Sequence, residues 1–359
     1  MTAALTEGAA DERVARRNPL RRLLVRPELG ALIGAAALFV FFSVTADAFL
    51  QTSSFSTVLY ASSTFGIMAV GVSLLMIGGE FDLSAGVLVT SAALVASLVS
   101  FQLTLNVWVG VLISLVVTLA LGVLNGLLYV WTKLPSFIVT LATFLMLAGA
   151  NLGVTKAVTG NVASDSISDM DGFKSAKRVF ASEIGVVDHQ IRISARPAVF
   201  TGPHVSITVL WWLLFTAVAT WILLRTRAGN WIFAVGGNAA SARAVGVPVA
   251  RTKIGLFAGV AFCAWFSGMH LLFAFATVQS GEGVGNEFFY IICAVIGGCL
   301  LTGGYGSAVG AAIGAFIFGM VNKGIVYADW NPDWFRFFLG AALLAATVVN
   351  HLVRRRAER

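Results

Sequence analysis

Between residues 107 and 131 the chain reads VWVGVLISLVVTLALGVLNGLLYVW, a stretch without a single charge. About 20 apolar residues wound as a helix cross the ~30 Å hydrocarbon core of a bilayer. Blocks of this kind recur along the whole sequence. Of its 359 residues, 58% are hydrophobic and 11% are charged, whereas an ordinary soluble domain carries roughly 25% charged residues. Mean hydropathy is +0.88. Inside lipid every backbone N–H and C=O needs a partner within the protein, so blocks of this length wind into helices. The sequence therefore specifies an all-α fold, a polytopic membrane bundle.

Runs and breaks define ten spans, near 29–48, 56–77, 84–101, 107–131, 136–152, 206–224, 254–278, 288–302, 306–327 and 334–351. Arginines precede the first, and Ala46-Asp47-Ala48 after it imitates a signal-peptide cleavage site. A signal peptide has an apolar region of only ~7–15 residues close to the N-terminus, so this later, longer run reads as a span. An even count places both termini on one side, together with segments 132–135 and 225–253. Those parts hold Arg13, Arg16, Arg17, Arg21, Arg22, Arg26, Lys133, Arg225, Arg227, Arg243, Arg251, Lys253, Arg354, Arg355, Arg356 and Arg359. Such an excess of cations marks the cytoplasmic side. It accounts for the net charge of +7 without nucleic acid.

The chain then divides into a basic cytoplasmic tail (1–28), a first bundle (29–152), an extracytoplasmic segment (153–205), a second bundle (206–352) and a basic cytoplasmic tail (353–359). In the extracytoplasmic segment GNVASDSISDMDG reads as loop, FKSAKRVF as a turn or two of helix, and VVDHQIRI as a short strand. Either it docks a partner from outside or it is a solvated linker; loops this long usually carry a function.

The basic loop 225–253 contains a small capped helix. Asn238 suits an N-cap, and Ala239, Ala240, Ser241, Ala242, Arg243, Ala244 and Val245 favour helix. Gly246 suits the left-handed residue that ends it, and Pro248 prevents continuation. At ~10 Å it is too short to span. It either transmits the motion of a cytoplasmic partner or rests on lipid headgroups.

A second polar island, MIGGEFDLSAG at 76–86, lies between two apolar runs. Intramembrane acids cost several kcal/mol and normally face a bundle interior or a water-filled cavity. Gly78-Gly79 points to a helix break. Three roles fit: a hinge in which Asp82 or Ser84 caps the following helix, Glu80 and Asp82 lining a polar path, or Glu80 carrying a coupling proton. The hinge fits Asp-x-Ser best. Gly297-Gly298 and Gly303-Gly304 flank another turn, and Gly303 and Gly304 join the hinge and path candidates. Gly306, Gly310 and Gly314 recur every four residues, as on a helix face that packs closely. The broken stretches 78–86 and 297–307 are candidates for corresponding points of two related halves. Trp108, Trp131, Trp211, Trp212, Trp330 and Trp334 near span ends read as interface anchors. Phe137, Phe144, Phe273, Phe275, Phe288 and Phe289 are candidates to line a path.

GGEFDLSAG (78–86), AVGGNAASARAVGV (234–247) and VIGGCLLTGGYGSAVGAAIGA (295–315) occur in that order. Together they make nearly the whole chain resemble the permease subunit of ribose-type sugar ABC importers, in the branched-chain amino acid/sugar permease family. The resemblance implies a homodimer in the cytoplasmic membrane that moves a monosaccharide or related polyol. It also implies two partners, a cytoplasmic ATP-binding subunit and an extracytoplasmic sugar-binding protein. Residues Gly236, Gly237 and Asn238 to Gly246 would be the coupling helix that enters a groove on the ATPase. Ala239 and Ala240 stand where the family often has carboxylates, which implies a less electrostatic contact. The 153–205 segment is also longer than is common.

No stretch matches G-x-x-x-x-G-K-[ST], a nucleophile elbow or HExxH. The expectation is a transport subunit without catalytic residues, with ATP and Mg on the partner. Cys263, Cys293 and Cys299 lie in apolar segments and His189, His204, His270 and His351 are scattered, so no metal site is expected. The alternative is a stand-alone ion-coupled carrier or channel with Glu80 or Asp82 as its ion site.

Overall fold

The computed structural model describes residues 27–187, 190–194 and 204–358. Most of the N-terminal basic tail lies outside them. The elements run α1 (Pro27–Thr45), α2 (Thr52–Ile77), α3 (Ala85–Gln102), α4 (Val107–Thr132), α5 (Ser136–Thr159), α6 (Phe173–Phe180), β1 (Glu183–Val187), β2 (Gln190–Ser194) and β3 (His204–Ser206). There follow α7 (Ile207–Arg225), α8 (Arg227–Gly237), α9 (Ala239–Ala244), α10 (Val249–Phe275), α11 (Asn286–Ile296), α12 (Ala308–Tyr327) and α13 (Phe335–Glu358).

Among the described residues, eight helices are long and apolar enough to cross a membrane: α1 to α5, α7, α10 and α12. The remaining two expected spans differ. The one placed at 288–302 is α11, eleven residues long, or about 16 Å. It ends at Gly297-Gly298, where the backbone turns left-handed at Gly298 (φ +93°). The one placed at 334–351 is covered by α13, which runs on into the arginine-rich end of the chain and so falls outside the eight.

Helices α2, α3, α10 and α12 form the centre, while α1, α4, α5 and α7 turn apolar side chains outward, as lipid-facing helices do. Small residues let the centre close. A Cβ on Gly126 of α4 would lie 2.8 Å from the Ile254 backbone, so the two helices touch through their main chains. α1 packs against α12, with the buried ring of Phe42 over Gly324.

The segment between α5 and α7 folds as a small unit at one end of the bundle. α6 is the expected helix FKSAKRVF, with Phe173, Ala176 and Phe180 on its buried face. The single strand expected at 186–193 is instead divided between β1 and β2, which pair antiparallel in a three-stranded sheet of order β2-β1-β3. β3 continues directly into α7, and Ser206 caps that helix by accepting from the Thr208 N–H. The Trp108 and Trp211 indoles donate to Ser175 (2.9 Å) and the Val179 carbonyl (2.8 Å), and Trp212 is buried. These three are tied to the protein, whereas Trp131 and Trp334 stand exposed. Phe273 is buried, and Phe137, Phe275 and Phe288 are exposed.

Candidate functional site

The opposite end of the bundle brings the three motifs together. α2 stops at Gly78-Gly79 through a paired turn: the Gly79 N–H donates to the Met76 carbonyl (2.8 Å) and the Glu80 N–H to the Leu75 carbonyl (3.1 Å). This Schellman geometry needs a left-handed residue, supplied by Gly79 at φ +84°. The loop then meets the other two glycine pairs. Gly304 N–H donates to the Ile77 carbonyl (2.8 Å). A Cβ on Gly236 would overlap that same carbonyl, and one on Gly303 would sit 2.6 Å from the Gly79 Cα. Residues 78–79, 236–237 and 303–304 thus cross backbone against backbone, a juxtaposition invisible in the separate motifs.

Glu80 points into this crossing. Its Oε1 pairs with Lys253 Nζ and accepts from the Tyr129 hydroxyl at 2.6 Å. Lys253 also donates to the Gly78 carbonyl (2.8 Å). Both charged residues are buried, Glu80 at 7% and Lys253 at 4% exposure. The assignment of Lys253 to a solvated basic loop is therefore corrected. α10 begins at Val249, which draws Lys253 one turn inside the helix and into the protein. A buried ion pair survives where its remaining lone pairs and protons are satisfied, as Tyr129 and the Gly78 carbonyl do here.

Asp82 is fully buried. Its Oδ1 accepts from the Ser84 N–H (2.8 Å) and the Ser84 hydroxyl (2.5 Å), and Oδ2 has no hydrogen-bond partner. Ser84 occupies the N-cap position of α3 but makes no capping bond; its Oγ instead accepts from Asn125 Nδ2 at 3.0 Å. Asp82 caps the turn, and neither side chain caps the helix by the expected bond. The Phe81 and Leu83 N–H groups donate to the hydroxyls of Ser136 (3.2 Å) and Thr140 (3.1 Å) on α5. This non-helical backbone is buried against protein, the condition under which a membrane tolerates it.

The second break repeats the first. α11 ends with Gly298 N–H to Val295 carbonyl (2.9 Å) and Cys299 N–H to Ala294 carbonyl (3.0 Å). Gly310 and Gly314 press α12 onto α11, since a Cβ on either would overlap the carbonyls of Gly297 and Cys293. Gly306 does not share that helical face. It precedes the N-cap Ser307 at φ +152° and packs against Cys299. Glu287, a buried acid in the first turn of α11, was missed by sequence reasoning; its carboxylate accepts from the Gly285 N–H (3.1 and 3.2 Å).

The capped helix of the basic loop is α9. Asn238 Oδ1 accepts from the Ser241 N–H (2.9 Å), and Gly246 (φ +86°) closes the helix with Val247 N–H donating to the Ala242 carbonyl (3.0 Å). Ala242 anchors it by packing with Val235 and Val249. Ala240, Ser241, Arg243, Ala244 and Gly246 are exposed, as is Val245 at 79%. Preceding it is α8, which the loop-like reading of 225–253 overlooked; Thr226 as N-cap, accepting from Gly229 N–H, was the available signal.

Membrane-length helices with two interior breaks and a capped helix beside them define a multi-pass membrane protein of the permease type. The chain belongs to the family described as branched-chain amino acid transport system / permease component, whose model matches residues 54–347. It is 30% identical to the xylose transport system permease protein XylH of Escherichia coli (strain K12), over 89% of this chain and 91% of that protein. It is 29% identical to the ribose import permease protein RbsC of the same strain, over 90% and 94%. To that strain's probable ABC transporter permease protein YphD it is 28% identical, over 92% of each. No solved structure gives a significant match. The chain is accordingly read as the permease component of an ABC importer, in preference to a stand-alone carrier.

Proposed function

We propose that this permease moves a monosaccharide such as a pentose, or a related polyol, inward across the cytoplasmic membrane. It works as a homodimer, takes its ligand from an extracytoplasmic binding protein at the sheet end, and is driven by a separate cytoplasmic ATPase that holds ATP and Mg. Its relatives named for xylose and ribose support the substrate class.

The observation that carries the coupling role is α9. It is capped at both ends, anchored by Ala242, and bare on the side that holds Arg243 and Val245. A helix of this kind gives a partner a rigid handle. Its two flanks lead straight to the crossing, through Gly236 on one side and Lys253 on the other. Displacing α9 therefore loads the Glu80–Lys253 pair and the break at Gly78–Ser84, which acts as the hinge. An ion-coupled carrier working through Glu80 would need that carboxylate free, and it is already engaged by Lys253 and Tyr129.

Val245→Asp tests the handle without disturbing Ala242. The variant should fold and elute as wild type, yet fail to co-purify the ATPase subunit and fail to support uptake. Unchanged ATPase capture and uptake would remove α9 from the coupling path.

A further inference from the structure

A cavity of about 710 Å³ opens at the sheet end, opposite the glycine crossing. Small-molecule sites have volumes of roughly 300–1,000 Å³. Three parts of the chain wall it: the first turns of α2, the unit of α6 and the sheet, and the last turns of α10.

The directions of its hydrogen bonds decide what it can hold. His270 Nδ1 lies 2.8 Å from the Phe180 carbonyl, which can only accept, so Nδ1 carries a proton. In the neutral ring Nε2 is then an acceptor, and the Tyr60 hydroxyl 3.1 Å away donates to it. Ser56 donates to the His204 carbonyl, and Thr57 to the Ser53 carbonyl at 3.0 Å. The hydroxyls of Tyr60, Ser56 and Thr57 have thus given their protons to the protein and keep lone pairs for a ligand, while Thr52, Ser53 and Ser206 add three more hydroxyls to the lining. Glu183 adds a carboxylate, 3.2 Å from His204 Nε2. A wall of acceptors set beside further hydroxyls matches a ligand whose own O–H groups both donate and accept. Lys177 also lines the cavity and opposes the charge of Glu183, which favours a neutral ligand. Phe275, 62% exposed, offers an apolar face to the C–H side of a sugar ring.

We propose that this cavity is a polyol site belonging to the permease itself, where a neutral sugar is held on the extracytoplasmic side before translocation. The inference rests on the transport reading above. Equilibrium binding of radiolabelled D-xylose and D-ribose to the full-length permease in lipid nanodiscs, without a binding protein, tests it. Wild type should bind at least one of them. Glu183→Gln and Tyr60→Phe should each weaken binding roughly tenfold, the loss expected for a hydrogen bond to a charged or buried group. Phe275→Ala and Thr57→Val should weaken it several-fold while keeping wild-type elution and melting, which separates loss of the site from loss of the fold. Uptake by the complete transporter should fall in step. Binding unchanged in all four variants overturns the site, as does no binding of a sugar that the complete transporter takes up; the transport reading survives both. Neither binding nor uptake of any polyol overturns both.

Discussion

The break after α2 and the break after α11 begin with the same residues, Ile77-Gly78-Gly79 and Ile296-Gly297-Gly298, and with the same turn. Gly78 and Gly297 have φ −67° in both, followed by left-handed Gly79 and Gly298 at +84° and +93°. Each loop then re-enters a helix at Ser-Ala, Ser84-Ala85 and Ser307-Ala308. What fills them differs. The first carries Glu80 and Asp82, and a lysine from α10 reaches in to pair with Glu80. The second carries Cys299 and a longer loop, and it is held by backbone contacts at Gly303, Gly304, Gly310 and Gly314. Ending a helix inside a membrane protein is thus solved once, by glycine. The electrostatic tie to α10, and through it to α9, is added to only one copy. The first break is the one tied to the end of the bundle that carries α9.

The largest effect should come where the two breaks touch. Gly236→Ala or Gly303→Ala forces a side chain into main chain that cannot retreat, and Gly303 also has φ +79°. Either variant should lose the monodisperse peak in size-exclusion chromatography. Gly237→Ala, next door and with open space for a Cβ, should elute and melt like wild type; equal damage from both would mean the crossing is not a steric one. Next in size is the tie itself. Lys253→Met strands a buried carboxylate and should destabilise by about 3–5 kcal/mol, read as a drop in melting temperature. Adding Glu80→Gln should recover most of that loss, and a double variant worse than the single would contradict the pairing. Thr140→Val removes the acceptor for the Leu83 N–H, an expected loss of about 1–3 kcal/mol. Cys299→Ala in the second break should cost only about 1 kcal/mol or less, the scale of a small buried cavity. If it rivals Lys253→Met, the contrast between a charged and a neutral break falls.

Much of the bundle was legible because its signal is local. Apolar runs located the helices, and the cap at Asn238 and the left-handed Gly246 were readable within nine residues of sequence. α11 was overextended because apolar residues continue past Gly297-Gly298, and hydropathy does not register a turn. Lys253 was misplaced because it follows Arg251 in a basic stretch, and only the register of α10 shows that it faces inward. The crossing was illegible for a different reason. Its partners are about 70 to 220 residues apart, and glycine pairs carry no chemistry that says which other pair they meet. The cavity at the sheet end was hidden likewise, since its serines and threonines look like ordinary span-end residues until a strand and a second helix are brought beside them.

The crossing has a consequence for inherited variation. Where a Cβ would strike main chain from two other segments, no compensating change in a neighbouring side chain can make room, because there is none to trim. Gly236 and Gly303 can therefore only persist or be lost together with the fold. Pairs that never vary leave no correlated substitutions, so contact inference from related sequences will be blind at the very point where the chain's three signature segments meet.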